Sequence, residues 1–229
     1  MSYQYRSAYD APSISNPIST PTDFYHEGVY RQFVKRVFDI LLVVAVSLPV
    51  ATTVALLALV QFLSDRSNPF YFQDRVGRNG KTFRMWKLRT MVRDADAMLE
   101  CYLSDNPQAR SEWICHQKLS NDPRITPLGR FLRSTSLDEL PQFWNVLIGD
   151  MSIVGPRPMM TAQRVLYPGT EYYAMRPGIT GFWQVSERNE SSFHERADYD
   201  QRYFRAISFL TDMKVILRTV VVVLKATGR

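Results

Sequence analysis

The stretch from Ile40 to Leu63 restricts the fold of this chain more than any other segment, because its 24 residues carry no formal charge. A straight helix over this stretch would measure roughly 36 Å, which is enough to cross the hydrocarbon core of a bilayer. The stretch is too long for a cleaved secretory signal, and 39 mostly polar residues precede it. We therefore expect this segment to be embedded in a membrane.

Two features of the segment leave its path through the membrane open. Pro49 lies near its middle, where a proline removes one backbone hydrogen bond and bends a helix. Ser47, Thr52 and Thr53 surround that bend and can satisfy the freed carbonyl groups. Basic residues flank both ends of the segment, which the positive-inside rule places on the same, cytoplasmic side. A re-entrant helical hairpin and a single-pass helix with a kink both fit these observations.

The charge of the chain favours anionic partners. It carries 28 basic and 22 acidic residues, a net charge of +6, and the span from Asp74 to Arg93 holds seven lysines and arginines but one acid. Phospholipids, nucleotides and nucleic acids all suit such a span, although the apolar segment makes nucleic acid a poor candidate. The two cysteines and three histidines show no metal-ligand, redox or triad spacing.

Composition divides the chain into three parts. Residues 1–30 are rich in Ser, Pro, Tyr and Thr and are interpreted as a flexible tail, and residues 31–64 form the membrane element. Residues 65–229 are enough for one sizeable core. We predict an α/β fold, mostly helical with a small β element, in which one globular domain is carried on an N-terminal helix-break-helix in the re-entrant arrangement.

Local patterns predict the elements of this domain. Residues 68–90 show two short strands joined at a glycine-containing turn. A helix is predicted over residues 91–104, and a second one follows it and runs through Trp113. A short third helix begins at Thr126, with Pro127 in its first turn. Two further helices are predicted over 138–148 and over about 192–212. The final apolar stretch, Val215–Leu224, is too short to span a membrane. We expect it to lie in the core or flat at the interface.

The segment from 134 to 158 is the most informative for function. It places two adjacent carboxylates, Asp138 and Glu139, after Arg133 and before Arg157, which lies in a proline-fixed loop. An ionised aspartate can attack phosphorus to form an acyl phosphate, and a neighbouring glutamate can hold Mg²⁺ or handle a proton. Arginines stabilise phosphoryl oxygens. This combination indicates phosphate chemistry mediated by a metal ion.

A structural interpretation of the same residues stays open at this point. Ser136 and Glu139 match a capping box, and Asp138 alone can cap a helix. Pro141 weakens the capping box, because proline fits only the first turn and places the helix start near Asp138 to Leu140. Glycoside hydrolysis is a poorer alternative, since adjacent side chains diverge by about 100° on a helix.

From Val34 to Lys225 the sequence resembles the bacterial sugar transferases, also called monotopic phosphoglycosyl transferases. Six motifs occur in the order of that family. They are Lys35–Asp39, Phe72–Gly80, Lys87–Met91, Arg133–Pro158, Arg176–Gly181 with Gln184-Val185, and Asp200 with Tyr203 and Asp212. Two departures occur: Leu48 separates Ser47 from Pro49 where the family often has Ser-Pro at the membrane bend, and Ser-Glu precedes Arg188 where the family often has Asn-Gly.

The resemblance implies an enzyme, a phosphoglycosyl transferase at the cytoplasmic face of the bacterial inner membrane. It would transfer a sugar-1-phosphate from a nucleotide diphosphate sugar, usually a UDP-sugar, to undecaprenyl phosphate. The products would be UMP and a lipid-linked diphosphate sugar, in the initiating step of exopolysaccharide or other surface polysaccharide synthesis. A soluble site held at the depth of the lipid phosphates suits this reaction, and the basic cluster can contact anionic head groups.

The resemblance also implies roles for individual residues. Asp138 would attack the sugar-bearing phosphorus and form a phosphosugar aspartyl ester, Glu139 would assist it, and Mg²⁺ would bridge this pair and the diphosphate. The matched positions for phosphate or substrate binding are Lys87, Arg133, Arg157, Arg188 and Asp200. Competing interpretations are a non-catalytic scaffold of the same fold and a lipid-linked phosphatase that uses water as acceptor. The identity of the sugar and the oligomeric state leave no readable mark in the sequence.

Overall fold

A computed structural model of the chain describes residues 28–116, 119–186 and 193–224. After a π-helical turn at Tyr30–Val34, the helices are α1 Lys35–Asp65, α2 Ala95–Asp105, α3 Pro107–His116, α4 Pro127–Thr135, α5 Gln142–Ile148, α6 Glu171–Ala174, α7 Phe193–Ala206 and α8 Phe209–Leu224. The strands are β1 Phe70–Val76, β2 Thr82–Leu88, β3 Ser152–Val154, β4 Met159–Met160 and β5 Gly178–Thr180. An antiparallel sheet has the order β2-β1-β4, and β3 pairs with β5 in parallel. The predicted fold class is confirmed.

The long apolar helix α1 continues through Pro49 without the break that the sequence predicts. The hydroxyl groups of Ser47, Thr52 and Thr53 donate to helix carbonyls three or four residues earlier, at 2.8–2.9 Å. These bonds reach the carbonyls of Val44, Leu48 and Pro49, whereas the carbonyl that the missing N–H of Pro49 would have bonded is that of Ala45. Within the described residues, α1 and its preceding turn form the one helix long and apolar enough to cross a membrane.

The first part of α1 is fastened to the globular domain by polar and apolar contacts. The Asp39 carboxylate accepts hydrogen bonds from the Ser152 hydroxyl at 2.7 Å and from the Ile153 N–H at 3.1 Å. Val43, which is 2% exposed, belongs to the largest core cluster. The other buried members of that cluster are Phe83, Met85, Val146, Met151, Ile153, Val154, Met175, Tyr203 and Val215.

The second part of α1 returns to the same domain. Ala58 packs with Leu88 at the end of β2 and with Leu132 of α4. The Gln61 side-chain amide donates to the Arg89 carbonyl. Between the two attachment points the helix exposes large apolar side chains, at Val44, Leu48 and Leu56. Both parts of α1 therefore contact one domain while its outer face stays apolar.

The C-terminal helical prediction is wrong in one respect, because the pattern over 192–212 belongs to two helices. Helix α7 ends at Ala206, and the Ser208 side chain begins the next helix by accepting from the Thr211 N–H at 3.2 Å. The apolar tail lies in α8, where Val215 is buried in the main core. Other apolar side chains of this helix are exposed, among them Leu217, Val220, Val221 and Val223.

Candidate active site

The adjacent carboxylates lie in a tight turn between α4 and α5. Ser136 has a left-handed backbone (φ 58°) that ends α4, and Leu137–Glu139 form one turn of 3-10 helix. Pro141 has no N–H, so backbone bonds there join residues three apart, and the regular helix begins only at Gln142. The predicted helix start at 138 is therefore wrong. The capping box is absent as well, since Ser136 makes no side-chain cap hydrogen bond.

Strand β2 brings a lysine to both carboxylates. The Lys87 Nζ lies 2.8 Å from the Glu139 Oε1 and 3.8 Å from the Asp138 Oδ2. Asp138 is only 7% exposed, so this cation and the neighbouring acid act on it with little screening. Three of the residues predicted from the sequence are thus in direct contact.

The surroundings of Asp138 alter its acidity. Burial raises the pKa of the Asp138 carboxyl above that of a free aspartate, and the charge of Glu139 raises it further. The positive charges of Lys87 and Arg133 lower this pKa, but burial is the largest effect. A carboxylate with little solvation is more basic, which makes it a better nucleophile once it is ionised.

Arg133 reaches the same site from α4. Its Nε donates to the Thr90 Oγ1 at 2.8 Å. Burial lowers the pKa of the Arg133 guanidinium, and the charge of Asp138 opposes that shift. A guanidinium nevertheless remains charged at neutral pH, because its ordinary pKa exceeds 12. Arg133 therefore adds a fixed positive charge near Asp138, and its predicted contact with phosphate stays a prediction.

Sequence analysis missed Asn145, which holds the carboxylate turn to β2. Its side chain is fully buried, and its Oδ1 accepts from the Trp86 N–H at 3.1 Å while its Nδ2 donates to the Arg84 carbonyl at 2.7 Å. Strand β2 is at the edge of its sheet. The Asn145 amide thus replaces the peptide group of an absent neighbouring strand. An asparagine among the apolar residues of α5 was the available signal.

Arg157 belongs to a second group of basic residues. Its guanidinium lies 5.4 Å from the centre of the Trp183 ring, and that of Arg196 lies 5.7 Å from the same ring. Arg196 also donates to the backbone carbonyl of Arg157. Burial, together with the charge of Arg157, lowers the pKa of the nearby Arg75 to about 10. Sequence analysis did not single out Arg75 and Arg196, although Arg75 falls within the 72–80 motif.

The two groups lie on one face of the β1–β2 hairpin. Lys87 is the register partner of Tyr71, and Arg75 is four residues farther along β1. Because side chains alternate along a strand, Tyr71, Arg75 and Lys87 project from the same face. Four residues of strand correspond to about 13 Å. The buried Met85 of the same face lies between Lys87 and Arg75, so the two basic groups are held on one face of the hairpin but separated by core residues.

Asp200 lies behind the second group. It is 3% exposed and accepts from the Tyr167 hydroxyl at 2.8 Å. Burial raises the pKa of the Asp200 carboxyl to about 7, and the charge of Arg196 opposes that shift. This placement favours a structural role for Asp200 as the hydrogen-bond partner of Tyr167 beside Arg196, and its predicted contact with substrate stays a prediction. The remaining predicted residue, Arg188, lies outside the described residues.

The candidate ligands for the predicted Mg²⁺ are the two adjacent carboxylates, Asp138 and Glu139. The described part of the chain holds no group of three or more His, Cys, Asp or Glu side chains that could bind a metal. Asp138 and Glu139 nevertheless suit Mg²⁺, which commonly binds through one or two carboxylates, substrate phosphates and waters. The donor set fits a metal that arrives with a diphosphate.

Sequence comparisons identify a matching protein family and several named relatives. Residues 30–226 match the family described as "Bacterial sugar transferase". A UDP-galactose-lipid carrier transferase from Erwinia amylovora is 46% identical over 86% of this chain, and an undecaprenyl-phosphate galactose phosphotransferase from Salmonella typhimurium is 42% identical over 86%. The chain spans only 42% of the length of each of these two relatives. The exopolysaccharide production protein ExoY from Rhizobium meliloti is 39% identical over 94% of this chain and 96% of its own length.

Proposed function

Because this chain belongs to the bacterial sugar transferase family, we propose that it transfers a sugar-1-phosphate from a UDP-sugar to undecaprenyl phosphate and so initiates polysaccharide synthesis. The names of relatives supply the lipid and the nucleotide sugar. The observation that carries the proposal is the contact of Lys87 with Asp138 and Glu139 in a buried turn. That arrangement combines a nucleophile with charges suited to a diphosphate.

The reaction proceeds in two displacements at one phosphorus. An oxygen of the ionised Asp138 carboxylate bonds to the sugar-bearing phosphorus, and the bond from that phosphorus to the UMP oxygen breaks. An oxygen of the acceptor's phosphate then attacks the same phosphorus and displaces the aspartate. The raised pKa of Asp138 supports the first step, because a more basic carboxylate is the better nucleophile.

Neighbouring side chains orient the reactants and balance charge. The Lys87 ammonium and the Arg133 guanidinium stabilise the phosphoryl oxygens as negative charge develops on them. Glu139 and Asp138 would hold Mg²⁺, which would neutralise diphosphate charge and stabilise the departing phosphate. The group of Arg75, Arg157 and Arg196 binds the nucleotide part of the donor, since three guanidiniums close together favour a phosphate ligand.

Insertion of α1 into one leaflet, with both of its ends on the same side of the membrane, suits this chemistry. Ala58 and Val43 of α1 both pack on the globular domain, although a straight helix between them rises by about 22 Å. A helix that crossed the bilayer would place its two ends on opposite sides of a hydrocarbon layer about 30 Å thick. Insertion into one leaflet keeps both contacts and brings the site to the level of lipid phosphates. Basic flanks at both ends of α1 favour the cytoplasmic side for the domain.

Capture of the covalent intermediate tests the mechanism. Protein incubated with a UDP-sugar and quenched during turnover should carry a hexose phosphate on the peptide that contains Asp138. Asp138→Asn should lose this adduct and reduce turnover by roughly 10⁴-fold or more, while remaining bound to membranes. Normal product formation without the adduct, or substantial activity of purified Asp138→Asn protein, would remove Asp138 as the nucleophile.

Acceptor dependence distinguishes the alternatives. A transferase forms lipid-linked product, and repeated release of UMP requires polyprenyl phosphate. A phosphatase that used the same aspartate would release UMP repeatedly with water alone, and a scaffold would release none. A panel of UDP-sugars scored by UMP release also identifies the sugar.

A further inference from the structure

An apolar cavity lies beside the carboxylate turn, on the opposite face of β2 from Lys87. Its volume is about 270 Å³, and its lining residues are Val54, Phe70, Trp86, Pro141 and Trp144. Val54 belongs to the apolar stretch of α1, and Trp86 directly precedes Lys87 in β2. We propose that this cavity binds the isoprene units nearest the phosphate of the polyprenyl acceptor, an inference that rests on the proposed function.

The position of the cavity next to the carboxylates supports a lipid whose head group reacts there. Pro141 is two residues from Glu139, so its Cα lies within about 8 Å of that of the glutamate. Trp86 and Lys87 project to opposite faces of an edge strand, whose outer edge faces α5. Asn145 of α5 closes that edge, but Pro141 lines the cavity directly after the carboxylate turn, so a lipid chain in the cavity can direct its phosphate past Pro141 to the cations at the carboxylates.

The chemistry of the lining selects a hydrocarbon. Three aromatic rings, a valine and a proline line the cavity, and burial of apolar surface in it is favourable by roughly 25 cal/mol per Å². The charge outside is complementary to the acceptor, since Lys87 and Arg133 lie where its phosphate would react. An amphiphile with an apolar chain and a phosphate at one end matches this combination.

The cavity is also continuous with the surface that we assign to the membrane. Val54, which lines it, belongs to the uncharged stretch of α1. On the other side, the lining residue Trp144 is 57% exposed, so the cavity opens to the surface there. Tryptophan is enriched at the membrane interface. A polyprenyl chain can therefore enter the cavity from the bilayer without crossing water.

Photo-crosslinking tests the site without requiring turnover. A polyprenyl phosphate with a diazirine in its first or second isoprene unit should label peptides containing Val54 or Trp144 in the wild-type protein in nanodiscs. Undecaprenyl phosphate should compete with this labelling, whereas phosphatidylglycerol should not. Labelling confined to other peptides would overturn the proposal, and competition by the phospholipid would assign the cavity to an acyl chain instead.

Kinetics provide a second test with a matched control. Trp144→Ala should raise KM for undecaprenyl phosphate by about tenfold, or 1.4 kcal/mol, and leave KM for the UDP-sugar unchanged. Ile148→Ala, which truncates an exposed apolar side chain one turn away, should leave both values near those of the wild type. Adduct formation on Asp138 without acceptor should be unaffected by either change. An equal effect of the two variants, or a rise in donor KM, would contradict the proposal.

These experiments separate the two levels of inference. If the wild-type protein forms neither adduct nor lipid product, the proposed function fails. If it forms both and Trp144→Ala behaves like Ile148→Ala, only the lipid site fails. Crosslinking reports on the cavity in either case, because it depends on binding alone.

Discussion

Replacing Asn145 with alanine tests how the carboxylate turn is held against β2. The change removes the side-chain amide that pairs with the Trp86 N–H and the Arg84 carbonyl. Alanine can supply neither partner, and the site is fully buried. We therefore expect two backbone groups of an edge strand to lose their hydrogen bonds at once.

The magnitude follows from the number of groups left without partners. Each buried polar group that loses its partner costs about 1–3 kcal/mol, so the free energy of unfolding should fall by about 2–6 kcal/mol. Domains of this size lose about 2–4 °C in Tm per kcal/mol, so Tm should fall by at least about 4 °C. The kcat should also fall, because the Asn145 bonds hold α5, and the carboxylate turn before it, against β2 beside Lys87.

Asn68→Ala provides the matched control. The Asn68 Oδ1 accepts from the Phe70 N–H at 2.9 Å, at an exposed position near the start of the same hairpin. Water can replace this bond, so the loss should stay within about 1 kcal/mol. Thermal unfolding of both variants in the same detergent, followed by tryptophan fluorescence, makes the comparison. If Asn145→Ala is no less stable than Asn68→Ala, the reasoning about the edge of β2 is refuted.

Three further predictions concern topology, metal and pH. A cysteine introduced as Phe33→Cys should resist an impermeant thiol reagent applied to the periplasm of intact cells; labelling would contradict re-entrant insertion. EDTA should abolish transfer and excess Mg²⁺ should restore it, so full activity in chelator would exclude the metal. The pKa of the Asp200 carboxyl is about 7 in the folded protein and 3.8 in an unfolded chain, so between these pH values the folded state binds the extra proton. The free energy of unfolding should therefore fall as pH rises through this range. Asp200→Asn should flatten that dependence in denaturant titrations, and an unchanged slope would contradict the assignment.

Local signals accounted for much of the fold. The hairpin after the membrane segment was confirmed because its alternation and turn residues act over short distances. The predicted helix start at Thr126 and Pro127 was confirmed for the same reason, and the Thr126 side chain accepts a hydrogen bond from the Gly129 N–H there. The start of α5 was missed, because Pro141 changes the hydrogen-bond pattern of a turn and side-chain periodicity does not report that change.

The amino-acid sequence by itself determined that this chain has an apolar segment of membrane length, a mostly helical domain and a pair of acids among basic residues. These properties follow from residue order and chemistry alone. Only the tertiary structure decided that Lys87 contacts both acids, that Arg157 joins Arg75 and Arg196 in a separate group, and that Asn145 completes the edge of β2. The physical reason is that those contacts depend on packing between residues far apart in the chain, and local spacing contains no information about that distance.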